Sequence, residues 1–264
     1  DASSASSAQH AYSALTPDLV LDALAELGMY GDGRLMALGS YENRVYQVSL
    51  EDGARVVAKF YRPERWSDAQ ILEEHAFSLE LATAEVPMVA PLVINDKTLH
   101  HHAGFAFSVS PWRGGRTPEL DDFETLEWIG RFLARIHTVG SKQPFVLRPT
   151  LDVQTFGTDS RDWLLNNQSI PLDQESGWRK ACDEALAIIT EKMNAHRFTQ
   201  LRLHGDCHPG NVLWTPVDDN GHGGPHFVDL DDARMGPAVQ DLWMLLSGER
   251  AQRGMQLSTL LEGY

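Results

Sequence analysis

The sequence is poor in cysteine and in long apolar runs. Only two of its 264 residues are cysteines, so no disulfide framework is expected and a reduced, cytoplasmic setting is favoured. No apolar run approaches the length of a membrane-spanning helix, so no membrane partner is expected. Residues 1–14, rich in Ala and Ser, lack the basic start and apolar centre of a secretory signal and are predicted to form a disordered leader.

Positive charge is also scarce. The chain has 22 Lys and Arg against 37 Asp and Glu, a formal net charge of −15, which argues against a nucleic-acid-binding surface and against a polybasic membrane patch. A hydrophobic content of 42% is typical of a globular protein with a real core, and the length suits one large domain or two lobes around a cleft. The sequence shows no internal repeat or coiled-coil heptad, and a monomer is the default expectation.

The order of the predicted elements divides the chain into two parts. Residues 15–110 alternate as strands around one main helix, which predicts a small α+β lobe. Residues 110–116 contain Pro and paired Gly and are predicted to be the hinge. Residues 111–264 are mainly helical in pattern. One helix is predicted from about residue 178 to 195, with its buried side formed by Ala181, Ala185, Ile188 and Ile189.

Two features of the first part suit phosphate binding. Ser40 lies in a turn between two predicted antiparallel strands, and Lys59 lies near the end of the next strand. Such a turn could cover phosphates with a lysine beneath it, and a glutamate from the middle of the following helix could hold that lysine. Glu74 is favoured for this pairing and Glu73 is the alternative. The competing interpretation is a surface hairpin with a solvated lysine, because the turn contains a single glycine.

The most informative stretch is residues 201–231. A strand-like run leads into Asp206, a second run follows Asn211, and a third run ends at Asp229. This order is expected to bring the three side chains to one end of a small hairpin. Two carboxylates and a carboxamide provide hard oxygen ligands and a possible base, which suits magnesium-assisted phosphoryl transfer.

The spacing within this stretch suggests a role for each residue. Asp206 could accept a hydroxyl proton, and Asn211, five positions later, could bind a metal ion, as in the catalytic loop of kinases. Asp229 would supply the main magnesium ligand, with Lys59 on the phosphates of ATP.

Two other interpretations of the stretch are possible. The acids could simply be solvated in a polar turn, but three acids or amides in this order, with an upstream lysine strand, make that interpretation weak. The segment Gly205–His208 also matches the Gly-Asp-x-His element of binuclear metallophosphoesterases. That class needs Asn-His and His-x-His ligand sets further along the chain, and neither follows here.

The residues 204–211 together with 227–229 resemble the aminoglycoside phosphotransferase/choline kinase superfamily, and more closely the bacterial stress response kinase A proteins. Further pieces that carry the resemblance are residues 40–46, 59–66, 71–75 and 230–243. The resemblance implies a bilobal protein-kinase-like fold, with a small antiparallel-sheet N-lobe containing one main helix and a mainly helical C-lobe. Family members continue past position 264 with helices on the substrate side, so the C-lobe is expected to be truncated.

The resemblance also implies an activity and residue roles. The activity is ATP- and Mg²⁺-dependent phosphorylation of Ser and Thr in protein substrates in the stress response. Asp206 would be the proton acceptor, Asn211 and Asp229 the magnesium ligands, Ser40 an ATP contact, and Asp241 a support of the catalytic loop. Because small-molecule kinases share the same motif, an aminoglycoside, choline or homoserine-like alcohol remains an alternative acceptor. A non-catalytic ATP-binding scaffold is the third possibility.

Overall fold

The computed structural model describes residues 12–218 and 223–264. Its first part is one antiparallel sheet with the strand order β1-β2-β3-β5-β4. The strands are β1 (Gly31–Leu38), β2 (Arg44–Leu50), β3 (Arg55–Phe60), β4 (His100–His102) and β5 (Phe105–Pro111).

The predicted leader, residues 1–14, lies mostly outside the described residues. Its last three residues form a turn, and the side chain of Tyr12 is buried against the sheet. The Tyr12 ring stacks on Phe105, and its hydroxyl donates to the main-chain oxygen of Phe60 at 3.2 Å. Residues 12–14 are therefore ordered, and Tyr12 belongs to the packed part of the chain.

Strands β2 and β3 form a hairpin that turns at Asp52 and Gly53. Gly53 adopts φ +87°, a conformation that disfavours other residues, and Asp52 Oδ1 accepts from the Ala54 N–H at 2.9 Å. The resulting register pairs Val45 with Lys59 and places the lysine near the end of β3. The turn at residues 52–53 therefore fixes the position of Lys59 along β3.

Helix α1 (Pro17–Glu26) covers one face of the sheet. Thr16 caps it by accepting from the Leu19 N–H at 3.2 Å, and proline follows at the first helical position. Its buried residues join those of the strands in one hydrophobic cluster, here called the sheet cluster. Members include Val20, Leu24, Val48, Phe60 and Phe107.

Helix α2 (Asp68–Thr83) connects β3 to β4 and packs on both parts of the chain, with Ile71 against Tyr61 and Leu99 of the first part. Ser67 and Gln70 form a reciprocal capping box at its start. Its apolar residues Phe77 and Leu81 belong to a second hydrophobic cluster, here called the helical cluster, which is built on the C-terminal part of the chain. The main helix of the first part is therefore anchored to the second part.

Helix α3 (Phe123–Gly140) is the centre of the helical cluster. Leu126, Ile129, Leu133 and Ile136 recur along one face and are fully buried. The last helix approaches α3 so closely that a Cβ at Gly130 would lie 2.1 Å from the main-chain oxygen of Leu260. The other elements are α4 (Asp159–Asn166), α5 (Leu172–Ala195), β6 (Leu201–Leu203), β7 (Val212–Thr215), β8 (Gly224–Phe227), β9 (Arg234–Gly236), α6 (Val239–Trp243) and α7 (Arg250–Gly263).

The prediction for the helix near residue 178 is wrong in two respects. Helix α5 begins at Leu172, and its supposed inward residues Ile188 and Ile189 are 58% and 47% exposed. Its partly buried stripe is instead Trp178, Cys182 and Leu186, spaced four residues apart. Ile188 lies two residues beyond Leu186 and therefore points to a different face.

The predicted fold class is confirmed: an antiparallel sheet precedes a mainly helical part in an α+β chain. Two short antiparallel pairs, β6 with β9 and β7 with β8, interrupt the helices. Among the described residues, no helix combines the length and apolar character needed to cross a bilayer.

Candidate functional site

A cavity of about 540 Å³ lies between the sheet and the loops that follow β6 and β8. Its lining includes five of the residues that sequence analysis assigns to a site: Ser40, Lys59, Glu74, Asn211 and Asp229. Apolar residues of the strands and the link after β5 complete the walls, among them Val45, Val57, Trp112, Leu213 and Val228. Asp206 does not line the cavity and lies beside it, in contact with Asn211.

The loop of residues 204–211, here called the catalytic loop, follows the buried strand β6. Gly205 adopts φ +87°, and a Cβ there would lie 2.1 Å from the main-chain oxygen of Asp232, so only glycine fits. Residues 209–211 then form a short 3₁₀ turn. Asn211 Nδ2 donates to the main-chain oxygen of Asp206 at 2.9 Å and lies 3.4 Å from Asp206 Oδ2. The structure thus brings Asp206 and Asn211 together.

Asp229 begins the loop of residues 229–232, here called the metal loop. It adopts φ +63°, a left-handed conformation in which a short polar side chain is tolerated better than most. The N–H of Val228 donates to the main-chain oxygen of Asn211 at 3.0 Å, which ties the two loops together next to Asp229. Three of the predicted residues, Asp206, Asn211 and Asp229, therefore converge.

The ammonium of Lys59 lies between two carboxylates. Its Nζ is 2.8 Å from Asp229 Oδ1 and 3.4 Å from Asp231 Oδ1. Burial would lower the pKa of Lys59, but Asp229, Asp231 and Glu74 raise it well above its ordinary value. Burial likewise opposes ionisation of Asp229, yet Lys59 holds the pKa of that carboxyl below its ordinary value. The lysine is therefore charged and faces the cavity.

Asp231 is the neighbour that sequence reasoning missed. Its side chain is 5% exposed, and Arg65 Nη1 lies 3.2 Å from its Oδ2, opposite Lys59. The sequence does contain a signal, because Asp231 follows the predicted metal ligand Asp229 by two positions. Its partner Arg65 lies far away in sequence, so the ion pair itself could not be anticipated.

The two candidate glutamates of α2 have different surroundings. Glu73 accepts from the N–H groups of Leu147 and Arg148 at 3.0 and 2.8 Å and does not line the cavity. Glu74 lines the cavity, is buried, and its Oε2 has no hydrogen-bond partner. Burial raises the pKa of Glu74 to about 7, against the opposing effect of Lys59. In this structure Lys59 pairs with the two aspartates of the metal loop and not with Glu74.

Asp241 supports the catalytic loop from behind. It is fully buried and accepts from the N–H groups of His204 and Gly205 at 2.9 and 2.8 Å. His137 Nε2 donates to it at 2.9 Å, and the Tyr264 hydroxyl contacts His137 Nδ1 at 2.7 Å. Burial alone would raise the pKa of Asp241, but its hydrogen bond with His137 and the charge of that ring hold it below its ordinary value. Asp241 therefore links two main-chain N–H groups at the start of the catalytic loop to His137 of α3.

The arrangement therefore places a buried ammonium, two loops that carry aspartates and a cavity side by side. The model of the phosphotransferase enzyme family matches residues 34–264. The chain belongs to this family. Stress response kinase A of Escherichia coli K12 is 49% identical over 253 residues, which cover 96% of this chain and 75% of that protein.

Two further proteins that resemble this phosphotransferase have names that refer to different substrates. The serine/threonine protein kinase RdoA of Salmonella typhimurium LT2 is 47% identical over the same coverage, 96% and 75%. The amicoumacin kinase hAmiN, solved with AMP-PNP, Ca²⁺ and Ami, superimposes with a TM-score of 0.74 at 20% identity, over 94% of this chain and 76% of that one. The predicted membership and the predicted kinase-like fold are both confirmed, and the phosphotransferase activity follows from the family.

Proposed function

We propose that this phosphotransferase transfers the γ-phosphoryl group of ATP to Ser and Thr hydroxyls of proteins in the cytoplasm, as a monomer, in a bacterial stress response. One observation carries the phosphoryl-transfer part: Lys59, Asn211 and Asp229 line a single cavity, and Asp206 adjoins it. The protein-acceptor part is supported by the 47–49% identity to relatives named as stress response and Ser/Thr protein kinases. Neither nucleic acid nor membrane is proposed as a partner.

The donor set at the cavity fits magnesium. Asp229 offers carboxylate oxygens, and Asn211, which donates through Nδ2 to Asp206, keeps its amide oxygen available as a ligand. Among residues 12–218 and 223–264, no group of three or more His, Cys, Asp or Glu could hold a metal ion. Asn211 and Asp229 would together supply two protein oxygens, which is typical of a Mg²⁺ site that is completed by substrate phosphates. When bound, Mg²⁺ offsets the negative charge of the phosphates.

The remaining steps belong to the protein. The carboxylate of Asp206 takes the proton of the acceptor hydroxyl, whose oxygen forms the new bond to the γ-phosphorus. The bond between that phosphorus and the bridging oxygen of ADP breaks, and ADP leaves with the electron pair. Lys59 binds the α- and β-phosphates, Glu74 is the partner of Lys59 when Asp229 binds the metal ion, and Ser40 contacts ATP from the turn above.

A small-molecule acceptor is the second candidate. It is favoured by the superposition on the amicoumacin kinase, although at 20% identity this likeness concerns the fold alone. Asp206, Asn211 and Asp229 would have the same roles with an aminoglycoside, choline or homoserine-like alcohol, because proton transfer and metal binding do not depend on the rest of the acceptor.

The acceptor class is tested with labelled ATP, generic protein acceptors and a panel of small alcohols in parallel. We expect label on Ser and Thr of protein, including the chain itself. Label on a small alcohol alone would contradict the protein-kinase proposal and favour the alternative. Asp206→Asn serves as the control for both arms. Label that persists unchanged in this variant would show that Asp206 is not the base.

A further inference from the structure

Arg65 does not line the cavity, but it contacts acids of two segments that do. Its Nη1 is 3.4 Å from Glu42 Oε2 and 3.2 Å from Asp231 Oδ2, and its Nη2 is 3.0 Å from Asp232 Oδ1. The side chain is 20% exposed and that of Asp231 only 5%, so these charges are largely shielded from solvent.

The acids around Arg65 belong to two different functional segments. Glu42 lies in the turn of residues 39–43 between β1 and β2, here called the lid turn, which also carries Ser40. Asp231 and Asp232 belong to the metal loop, two and three residues after Asp229. The Arg65 guanidinium therefore joins the lid turn to the metal loop, next to the side chain of Asn43, which also contacts Asp231.

The neighbouring arginines each serve one segment. Arg62 Nη1 donates to Glu42 Oε2 at 2.7 Å, and the Arg62 N–H donates to Asn43 Oδ1 at 3.1 Å. Both acceptors belong to the lid turn. Arg234 Nη2 donates to Asp232 Oδ1 at 2.6 Å, within the metal loop. Among the ion pairs of the described residues, only those of Arg65 reach both segments.

The contact with Asp231 extends this link to the phosphate-binding lysine. One oxygen of Asp231 faces Arg65 and the other lies 3.4 Å from Lys59 Nζ. Asp231 thus provides a counter-charge beside Lys59 that does not depend on Asp229. A displacement of Arg65 would shift Asp231 and, through it, the position of the ammonium.

We propose that Arg65 is a positioning residue that couples the lid turn to the metal loop, so that the phosphates and the metal ion of one nucleotide are bound by a single preorganised unit. This inference rests on the proposed kinase function. A guanidinium suits the task because its charge is spread over separate nitrogens: Nη2 donates to Asp232 Oδ1, while Nη1 lies at ion-pair distance from Glu42 and Asp231. A lysine presents one compact charge. Arg65→Lys therefore keeps the charge and loses the bridge.

The test measures Mg-ATP binding by calorimetry and steady-state kinetics on the full chain. In Arg65→Gln we expect the dissociation constant and the KM for Mg-ATP to rise about tenfold, the factor for a mid-range coupling between contacting charges. At saturating nucleotide the kcat should change less than about twofold, because the reacting groups remain in place. Arg65→Lys should recover only a small part of the affinity.

Two control variants define what the effect means. Arg131→Gln removes an exposed pair with Glu127, far from the cavity, and should leave affinity and turnover unchanged. Arg62→Gln removes a lid contact alone and should raise the KM less than Arg65→Gln does. The melting temperature of the nucleotide-free chain, measured for every variant, separates misfolding from lost coupling.

A double-mutant cycle tests the coupling directly. Glu42→Gln and Asp232→Asn should be non-additive in their effect on Mg-ATP affinity when Arg65 is present, and additive in Arg65→Gln. Unchanged affinity in Arg65→Gln, full recovery in Arg65→Lys, or additivity in the presence of Arg65 would each overturn this proposal alone. Failure of the unaltered chain to bind Mg-ATP would overturn the proposed function as well. That outcome is seen without any substitution, so it differs from an effect that appears only in the Arg65 variants.

Discussion

Opposite charges hold the catalytic loop and the metal loop, although the two loops touch each other. The catalytic loop lies over a buried anion, Asp241, to which two of its N–H groups donate. The metal loop is surrounded by cations, because Lys59 and Arg65 contact its carboxylates and Arg148 donates to the main-chain oxygen of Asp231. The anion holds the main chain of the catalytic loop, whereas the cations contact both the side chains and the main chain of the metal loop.

The origin of the supporting residues differs as well. Asp241 and His137, which hold the catalytic loop, both belong to helices of the second part of the chain. Lys59 and Arg65 come from the end of β3 and the segment that follows it, next to the sheet. The position of the proposed base is therefore set within one part of the molecule. The position of the proposed metal ligand depends on how the two parts meet.

The largest expected effect separates the chemistry from binding. Asp206→Asn removes the proton acceptor but leaves the cavity lining intact, so we expect kcat to fall by about 10²–10⁴-fold with little change in Mg-ATP affinity. Asp229→Asn should instead lose much of the affinity, measured as the magnesium-dependent thermal shift with ATP. A thermal shift that survives Asp229→Ala would remove the metal assignment, and equal losses of affinity in both aspartate variants would erase the contrast between the loops.

The next effect concerns the anion beneath the catalytic loop. Asp241→Ala leaves buried donors of His204, Gly205 and His137 unpaired, so we expect a loss of about 3–5 kcal/mol in the free energy of unfolding. Because the folded pKa of Asp241 is depressed, its contribution is present at neutral pH and is lost only as the pH falls through that folded pKa. Urea denaturation at several pH values measures both effects. An unfolding free energy equal to that of the unaltered chain would contradict the support by Asp241.

The effect of Glu74 on stability is expected to have the opposite pH dependence to that of Asp241. Its pKa rises from 4.5 to about 7 on burial, so the folded chain binds more protons than the unfolded one between these values. Stability should therefore decrease as the pH rises through this window, by an amount on the order of 1–3 kcal/mol.

In Glu74→Gln this pH dependence should be absent, which makes the nucleotide-free variant more stable than the unaltered chain at pH 8. The difference should shrink towards pH 5, where the unaltered glutamate is protonated. Denaturation curves at pH 5 and pH 8 provide the measurement. Glu73→Gln, which instead weakens contacts with the N–H groups of Leu147 and Arg148, is the matched control and should destabilise at both pH values.

The sequence was a good guide wherever the structural cause is local. The Asp-Gly turn fixed the register of Lys59, and glycine at position 205 allowed the tight passage into the catalytic loop. The five-residue spacing from Asp206 to Asn211 fits one short turn, so their contact could be anticipated from position alone.

What the sequence could not predict are contacts between distant segments. Nothing near Arg65 in the chain indicates that its guanidinium meets Asp231 and Asp232, because that depends on how the two parts of the molecule pack. The sequence also could not decide between Glu73 and Glu74. Adjacent helical residues differ by about 100° in direction, and only the fold shows which one faces the cavity. The error in α5 arose because its apolar residues occupy more than one face.

The smallest expected effect concerns His208, the residue that made the metallophosphoesterase interpretation attractive. It is partly exposed, its Nδ1 accepts from the Gly210 N–H at 2.9 Å, and its Nε2 is 3.6 Å from Asp206 Oδ2. Asparagine can accept the same N–H, so His208→Asn should change the free energy of unfolding by no more than about 0.5 kcal/mol. Phosphoryl transfer and its dependence on Mg²⁺ should also change little, because His208 belongs to neither the proposed base nor the proposed metal ligands. A loss of transfer comparable to that of Asp206→Asn, with an altered metal dependence, would show that the catalytic loop binds metal through His208 and would make the two loops chemically alike.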